Sequence, residues 1–149
     1  MARNKIGLQV KGFDEYMAKL DELGGGKAME RGGESALIAS KQYVNPLIEQ
    51  AMNKSNLPAH GRYSIGEGTK HSIDKNMKVE WEGKTAYVKV GFDFKESGLK
   101  SIFLMYGTPK HDPVAGLYDA IYGNKTQRQI GKLQGEALVK VIERLMGEK

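Results

Sequence analysis

Apolar and polar residues alternate in some stretches of the chain and recur at steps of three and four in others, and these two rhythms lay out its elements. Residues 6–10 alternate and predict a short strand. After Gly12, the residues Phe13, Tyr16, Met17, Leu20 and Leu23 fall at helical spacing, and Gly24-Gly25-Gly26 stops them. Residues 27–54 hold the longest helical pattern, a stripe of Met29, Gly33, Leu37, Ser40, Val44, Leu47 and Ala51. Its small residues (Gly33, Ala36, Ser40) leave room for another element to approach. Pro46 lacks an amide donor and crowds the preceding turn, which predicts two segments or one bent helix.

Residues 55–76 show no strong periodicity and predict a long irregular loop. Met77, Val79 and Trp81 then alternate with Lys78, Glu80 and Glu82. Gly83-Lys84 supplies a turn, and residues 85–90 return as the second arm of a hairpin. Residues 93–100 read as a polar loop and 101–106 as a further, mostly apolar strand. That apolar run stops at Gly107-Thr108-Pro109. Asp112-Pro113 then reads as a helix start, with Asp as N-cap and Pro at the first helical position. Val114, Leu117, Tyr118 and Ile121 form one face of that helix, and Gly123 ends it. A last helix, capped by Asn124 or Thr126, carries Ile130, Leu133, Ala137, Leu138, Val141 and Leu145. The expected fold is α+β: a small antiparallel sheet of about three or four strands packed against a long kinked helix, with two C-terminal helices. Three strands with one apolar face need a helix against that face, and the long helix is the candidate.

Length and composition narrow the function. The 149 residues fit a single domain, 1–149, with a core of ordinary size. Nineteen glycines are about twice the usual share, which favours loops that order against a partner (55–76 and 93–100). There is no cysteine, so disulfides, thiolate metal sites and Cys nucleophiles are excluded. The first twelve residues are too polar for a signal-peptide core, and no apolar run approaches a bilayer span, so a soluble protein is expected. The net charge of +5 is spread out. Residues 54–78 hold Lys54, Arg62, Lys70, Lys75 and Lys78 against Glu67 and Asp74. Residues 124–149 hold Lys125, Arg128, Lys132, Lys140, Arg144 and Lys149 against Glu136, Glu143 and Glu148. This bias suits phosphates or an acidic surface but is thinner than the stripe of a dedicated DNA reader.

No set of residues reads as catalytic. His60, His71 and His111 have no metal-ligand spacing among them. Gly61 and Gly66 begin like a phosphate-binding loop, but Glu67 and Gly68 stand where Lys and Ser or Thr are needed. No Gly-x-Ser-x-Gly elbow occurs, and Ser72 beside His71 is a poor nucleophile–base pair. Asp14-Glu15 and Asp21-Glu22 read as a solvated helix face. Trp81, Tyr87, Phe103 and Tyr106 are read as core or subunit-contact residues ahead of base-stacking ones. The chain is therefore expected to be no enzyme, with no metal and no cofactor.

The order of these elements, with Val10-Lys11-Gly12-Phe13-Asp14-Glu15, Ser72-Ile73, Tyr106-Gly107-Thr108 and Pro113-x-x-x-Leu117-x-x-Ala120, resembles one family. It is similar to the head–tail joining (neck, tail-completion) proteins of long-tailed bacteriophages, the gene-ten-like family of HK-type phages. Met105 stands where that family usually has Glu, and Val114 where an aromatic is common. The resemblance covers nearly the whole chain. It implies a structural virion protein, made in the bacterial cytoplasm and built into the neck or tail as a ring subunit, often six-fold. The implied partners are copies of itself, connector and neck proteins, tail-terminator or tail-tube proteins, and packaged DNA in the lumen. A small basic nucleic-acid-binding protein and a related tail-terminator protein are the alternatives. The residues singled out are the corner Tyr106, Gly107, Thr108, Pro109, Asp112 and Pro113, and, as a DNA- or partner-facing surface, Arg62, Lys70, Lys75 and Lys78.

Overall fold

The computed structural model describes residues 5–8, 26–55, 72–83 and 85–147. The helix expected over 13–23, most of the 55–76 loop, and Arg62 and Lys70 lie outside the described residues. The elements are β1 (Lys5–Leu8), α1 (Gly26–Lys54), β2 (Glu80–Glu82), β3 (Thr85–Lys89), α2 (Phe94–Tyr106), α3 (Leu117–Tyr122) and α4 (Asn124–Gly147). The fold is α+β, with a three-stranded antiparallel sheet ordered β1-β3-β2.

The long helix forms where the stripe predicts it. Ala36, Leu37, Ser40, Val44, Ile48, Ala51 and Met52 are buried along it. Ser40 keeps its buried hydroxyl satisfied by donating to Ala36 O at 2.8 Å. The helix is continuous through Pro46 rather than split into two segments. Pro46 and Gln42, whose carbonyl the proline leaves without a helical donor, are both exposed.

The hairpin is also as expected, with Glu80 opposite Tyr87, Trp81 opposite Ala86 and Glu82 opposite Thr85. β1 adds to the other side of β3, pairing Lys5 with Lys89 and Ile6 with Val88. Alternation sorts the sheet into two faces. Ala86 and Val88, with Ile6, pack on Leu37 of α1, and Trp81 Nε1 donates to Glu34 of that helix at 3.1 Å. The outer face is polar. Tyr87 donates to Glu80 Oε2 at 2.7 Å, Lys89 reaches Glu80 Oε1 at 2.9 Å, and Lys5 reaches Glu82 at 3.3 Å. Lys5 Nζ also lies 3.9 Å from the centre of the Tyr87 ring. The bond to Glu80 and burial push the Tyr87 hydroxyl up to about 12. Hydrogen bonds from Lys89 and Tyr87 hold Glu80 below its ordinary carboxylate range.

The main core lies at the other end of α1. Val44, Ile48, Ala51 and Met52 meet Ile73, Val90, Leu104, Met105, Val114, Leu117, Ala120 and Ile121. The segment 72–76 is stitched to β3's far end and to α1. Ile73 bridges Phe92, Asp74 N donates to Gly91 O at 2.7 Å, and Asn45 Nδ2 donates to Asp74 O at 3.2 Å.

Two expectations need correction. Residues 93–100 are no loop and 101–106 no strand; together they make α2. Asp93 is its N-cap, with the side chain accepting from Lys95 N at 2.8 Å. The sheet therefore has three strands, and the apolar run Ile102–Tyr106 divides around a helix, with Leu104 and Met105 inward and Ile102, Phe103 and Tyr106 outward. Nor does Asp112-Pro113 start a helix. Val114 N–H donates to Leu104 O at 2.8 Å, which ties this segment to α2, and α3 begins only at Leu117 behind Gly116.

α4 comes close to α1 at Gly32, one position from the glycine expected to admit a neighbour. A Cβ on Gly32 would stand 2.5 Å from Val141 Cγ2. Gly32→Ala gains about 1 kcal/mol of helix propensity but forces an overlap worth about 1–3 kcal/mol. We expect a net loss in thermal melts. In a Val141→Ala background the 2.5 Å overlap is removed and only the tight 3.3 Å approach to the remaining Cβ is left, so the same substitution is expected to become near neutral or stabilising. An equal loss in the two backgrounds excludes the close approach.

Candidate functional site

The corner after α2 is built from backbone bonds. Gly107 ends the helix, its N–H donating to Phe103 O at 2.8 Å. Gly107 sits at φ 77°, ψ 179°, a region that side chains avoid. Thr108 and His111 then close a small turn: Thr108 N–H donates to His111 O at 2.8 Å, and His111 N–H donates back at 3.2 Å. The Thr108 hydroxyl also accepts from His111 N at 3.1 Å. Pro109 and Lys110 form the exposed tip, and Pro113 folds back against Gly107. The predicted corner residues Tyr106, Gly107, Thr108, Pro109 and Pro113 are thus brought together. Asp112 is exposed beside them and caps no helix.

This corner presents an apolar surface. Leu99, Ile102, Phe103 and Tyr106 are spaced i, i+3, i+4 and i+7, so they share one side of α2. That side faces solvent, with Leu99 61%, Phe103 48% and Tyr106 62% exposed. Tyr118 of α3, also exposed, extends it: its ring meets that of Tyr106 edge-on at 5.9 Å and that of Tyr122 at 5.1 Å. Burial, with the neighbouring Tyr106 and Tyr118, pushes the Tyr122 hydroxyl above its ordinary range. A helix normally turns such a stripe to its own core; here the stripe is left outside. Reading 101–106 as a strand concealed it, because the four residues share a side only at helical spacing.

Of the predicted basic surface Arg62, Lys70, Lys75 and Lys78, the first two lie outside the described residues. Lys75 and Lys78 are exposed on the segment before β2, and Lys75 Nζ is 3.5 Å from Glu49. Nothing within the described residues unites them with the corner.

The one buried charged side chain among the described residues is Lys41 of α1. Its Nζ donates to Asn76 O at 2.5 Å and lies 3.3 Å from Asp74 Oδ1. Desolvation pushes its pKa below the ordinary 10.5, against the pull of Asp74. The ammonium is held by its neighbours Asn76 and Asp74, so it reads as a structural clamp. A cavity of about 450 Å³ lies elsewhere, where Tyr43, Leu47 and Lys54 of α1 face Asp119, Lys125 and Thr126. The Thr126 hydroxyl is spent on Asp119 O at 3.0 Å, and the cavity brings together no acid, base and nucleophile. Among the described residues no three His, Asp or Glu side chains converge as a metal site, and no helix is long and apolar enough to cross a membrane.

No protein-family model, curated protein or solved structure matches the chain.

Proposed function

We propose that this chain is a structural protein of a phage or prophage virion, a subunit of a ring that joins head to tail at the neck, and that it acts by shape without a bond-making step. The observation that carries the reading is the exposed stripe Leu99, Ile102, Phe103 and Tyr106, with Tyr118 beside it. A monomer seldom leaves a row of large apolar side chains in water, and such rows mark places where another protein sits. The occupant in this reading is a neighbouring copy of the chain. A ring is closed by a patch that meets a different patch on the next subunit, so one unpartnered face per copy is what such an assembly needs. Aromatic side chains at the centre of the row suit the anchoring role. The link to the neck family is the run of residue matches Val10–Glu15, Ser72-Ile73, Tyr106-Gly107-Thr108 and Pro113-x-x-x-Leu117-x-x-Ala120; the strand expected before Gly107 and the helix start expected at Pro113 no longer contribute to it.

The test charges the stripe where it is exposed. Phe103→Glu with Tyr106→Glu leaves the core residues Leu104 and Met105 in place, so the fold is expected to survive. Loss of aromatic anchors costs about 2–4 kcal/mol, or about 30- to 1000-fold in the association constant. Light scattering over a concentration series is expected to show wild type growing beyond the 16.5 kDa protomer and the double variant remaining there. In the phage that encodes it, loss of the chain is expected to leave filled heads and free tails unjoined, with rescue by wild type only. Wild type that stays monomeric at every concentration overturns the self-contact. Joined particles formed without the chain overturn the neck assignment.

A further inference from the structure

The first half of α4 carries Lys125, Arg128 and Lys132, all exposed, and no carboxylate lies between Asn124 and Gly135. Steps of three and four bring the three cations to one side of the helix, away from the half-buried Ile130, Leu133 and Ala137. Lys54, in the last turn of α1, shares with Lys125 the lining of the cavity between the two helices, where Asp119 is the only carboxylate. The acids of α4 begin at Glu136. Its Oε1 is 3.9 Å from Lys132 Nζ, a solvent-exposed pair that neutralises little. The start of this 24-residue helix adds its own partial positive charge.

We propose that this strip binds the phosphate backbone of double-stranded DNA. The residues between the cations favour DNA over an acidic protein. They are Asn124, Gln127 and Gly131, with no exposed apolar side chain among them to form the core that a protein contact requires. Gly131 costs about 1 kcal/mol relative to alanine inside a helix, yet a Cβ there would meet nothing within 4 Å. Packing inside the chain does not require that glycine. Its bare backbone leaves a shallow saddle between Arg128 and Lys132 for a broad, convex rail. From Lys125 to Lys132 the helix rises about 10 Å, the length of about three steps along one DNA strand. The contacts are to phosphates alone, so the binding is blind to sequence. Assigning the strip to the inner wall of a ring rests on the neck reading; the binding itself does not.

The experiment measures the anisotropy of a labelled duplex of arbitrary sequence with the purified chain. Three phosphate contacts give a log–log salt slope of about −2.7, so affinity is expected to fall about 40-fold between about 50 and about 200 mM salt. Lys125→Glu, Arg128→Glu and Lys132→Glu together are expected to weaken binding at low salt by about tenfold or more and to flatten the slope. Each reversal removes two charges, taking the net charge from +5 to −1. A control with Lys27→Glu, Lys100→Glu and Lys110→Glu has the same net charge and alters exposed positions outside both the strip and the basic surface expected from the sequence; it is expected to keep a steep slope. The corresponding Lys→Gln and Arg→Gln strip variant, with thermal melts of all four proteins, separates lost contacts from lost fold. Absence of duplex binding by wild type at low salt, equal losses in strip and control variants, or tighter binding of polyglutamate or single-stranded RNA than of duplex each overturns the proposal. Ring formation by a strip variant that binds no DNA leaves the neck reading intact, while DNA binding by a chain that never assembles removes that reading and keeps this one.

Discussion

Gly107→Val is expected to lower the unfolding free energy by about 3 kcal/mol. Two costs add. At φ 77°, ψ 179° the backbone lies where glycine alone is at ease, and a branched residue held there is strained by about 1–3 kcal/mol. The added Cβ would also stand 2.9 Å from Pro113 Cδ and 3.0 Å from both His111 O and Pro113 N. Two of those contacts are backbone atoms and the third belongs to a rigid ring, so the crowding costs about 1–3 kcal/mol more. Removing glycine's freedom from the unfolded chain returns about 0.4–1 kcal/mol. For a domain of this size, 3 kcal/mol corresponds to a melting temperature lower by about 10 °C. Gly107→Ala, which keeps the strain but has no branch, is expected to fall between wild type and valine. The corner also aims Tyr106, so the valine variant is expected to weaken self-association even below its melting point. A valine variant that melts and associates like wild type rules out this corner.

Lys41→Ala is expected to cost a similar amount, about 3 kcal/mol, for a different reason. The ammonium is fully buried and serves two acceptors, Asn76 O and Asp74. Removing one partner of a buried pair costs about 3–5 kcal/mol, because the other is left uncompensated. Asp74 is a quarter exposed, so water relieves part of that loss. Lys41→Met keeps the apolar stem and is expected to cost about half as much. The two variants separate packing from charge, and equal losses overturn the clamp. The pH dependence has a definite sign. Lys41 binds its proton less tightly in the folded state than in the unfolded one, where 10.5 is ordinary. Between the lowered value and 10.5 the unfolded chain holds more protons, so the Lys41 contribution to stability rises with pH across that window. Chemical denaturation of wild type against Lys41→Met up to pH 10 is expected to show the gap shifting in favour of wild type.

Much of the architecture was legible in the residues. The stripe Leu37, Ser40, Val44 and Ala51 marked α1 because all four turn to the core. The hairpin was legible because Gly83-Lys84 separates two alternating runs, and the last helix because Ile130, Leu133, Ala137 and Val141 all lean inward. Residues 94–106 were not. An amphipathic helix is recognised by a polar outer side, and α2 carries Leu99, Ile102, Phe103 and Tyr106 there, so Ile102–Tyr106 is apolar all round and imitates a buried strand. Asp93 was the available signal, since an Asp before the first helical turn is a cap. Asp112-Pro113 misled in the opposite way. It carries the local marks of a helix start, but the bond from Val114 to Leu104 and the packing of Pro113 on Gly107 hold it as a turn. The corner residues Tyr106 to Pro109 follow a helix and not the strand expected before them, and Asp112 caps no helix. The cationic half of α4 was visible as a charge count, but its grouping on one side required the helix.

The order β1-β3-β2 has a consequence for how the molecule is made. Lys5 is paired with Lys89, and Gly32 lies against Val141. A ribosome adds about 5–20 residues each second, so β1 waits several seconds for the strand it will join, and the Gly32 side of α1 waits until nearly all of α4 has emerged. For that time the nascent polypeptide carries an unpaired strand and then a partly uncovered helix, exposed surface of the kind that chaperones bind. The sheet and α3 can cover the rest of α1 earlier, so a fragment released before α4 is complete enters the cell with the Gly32 side of α1 bare.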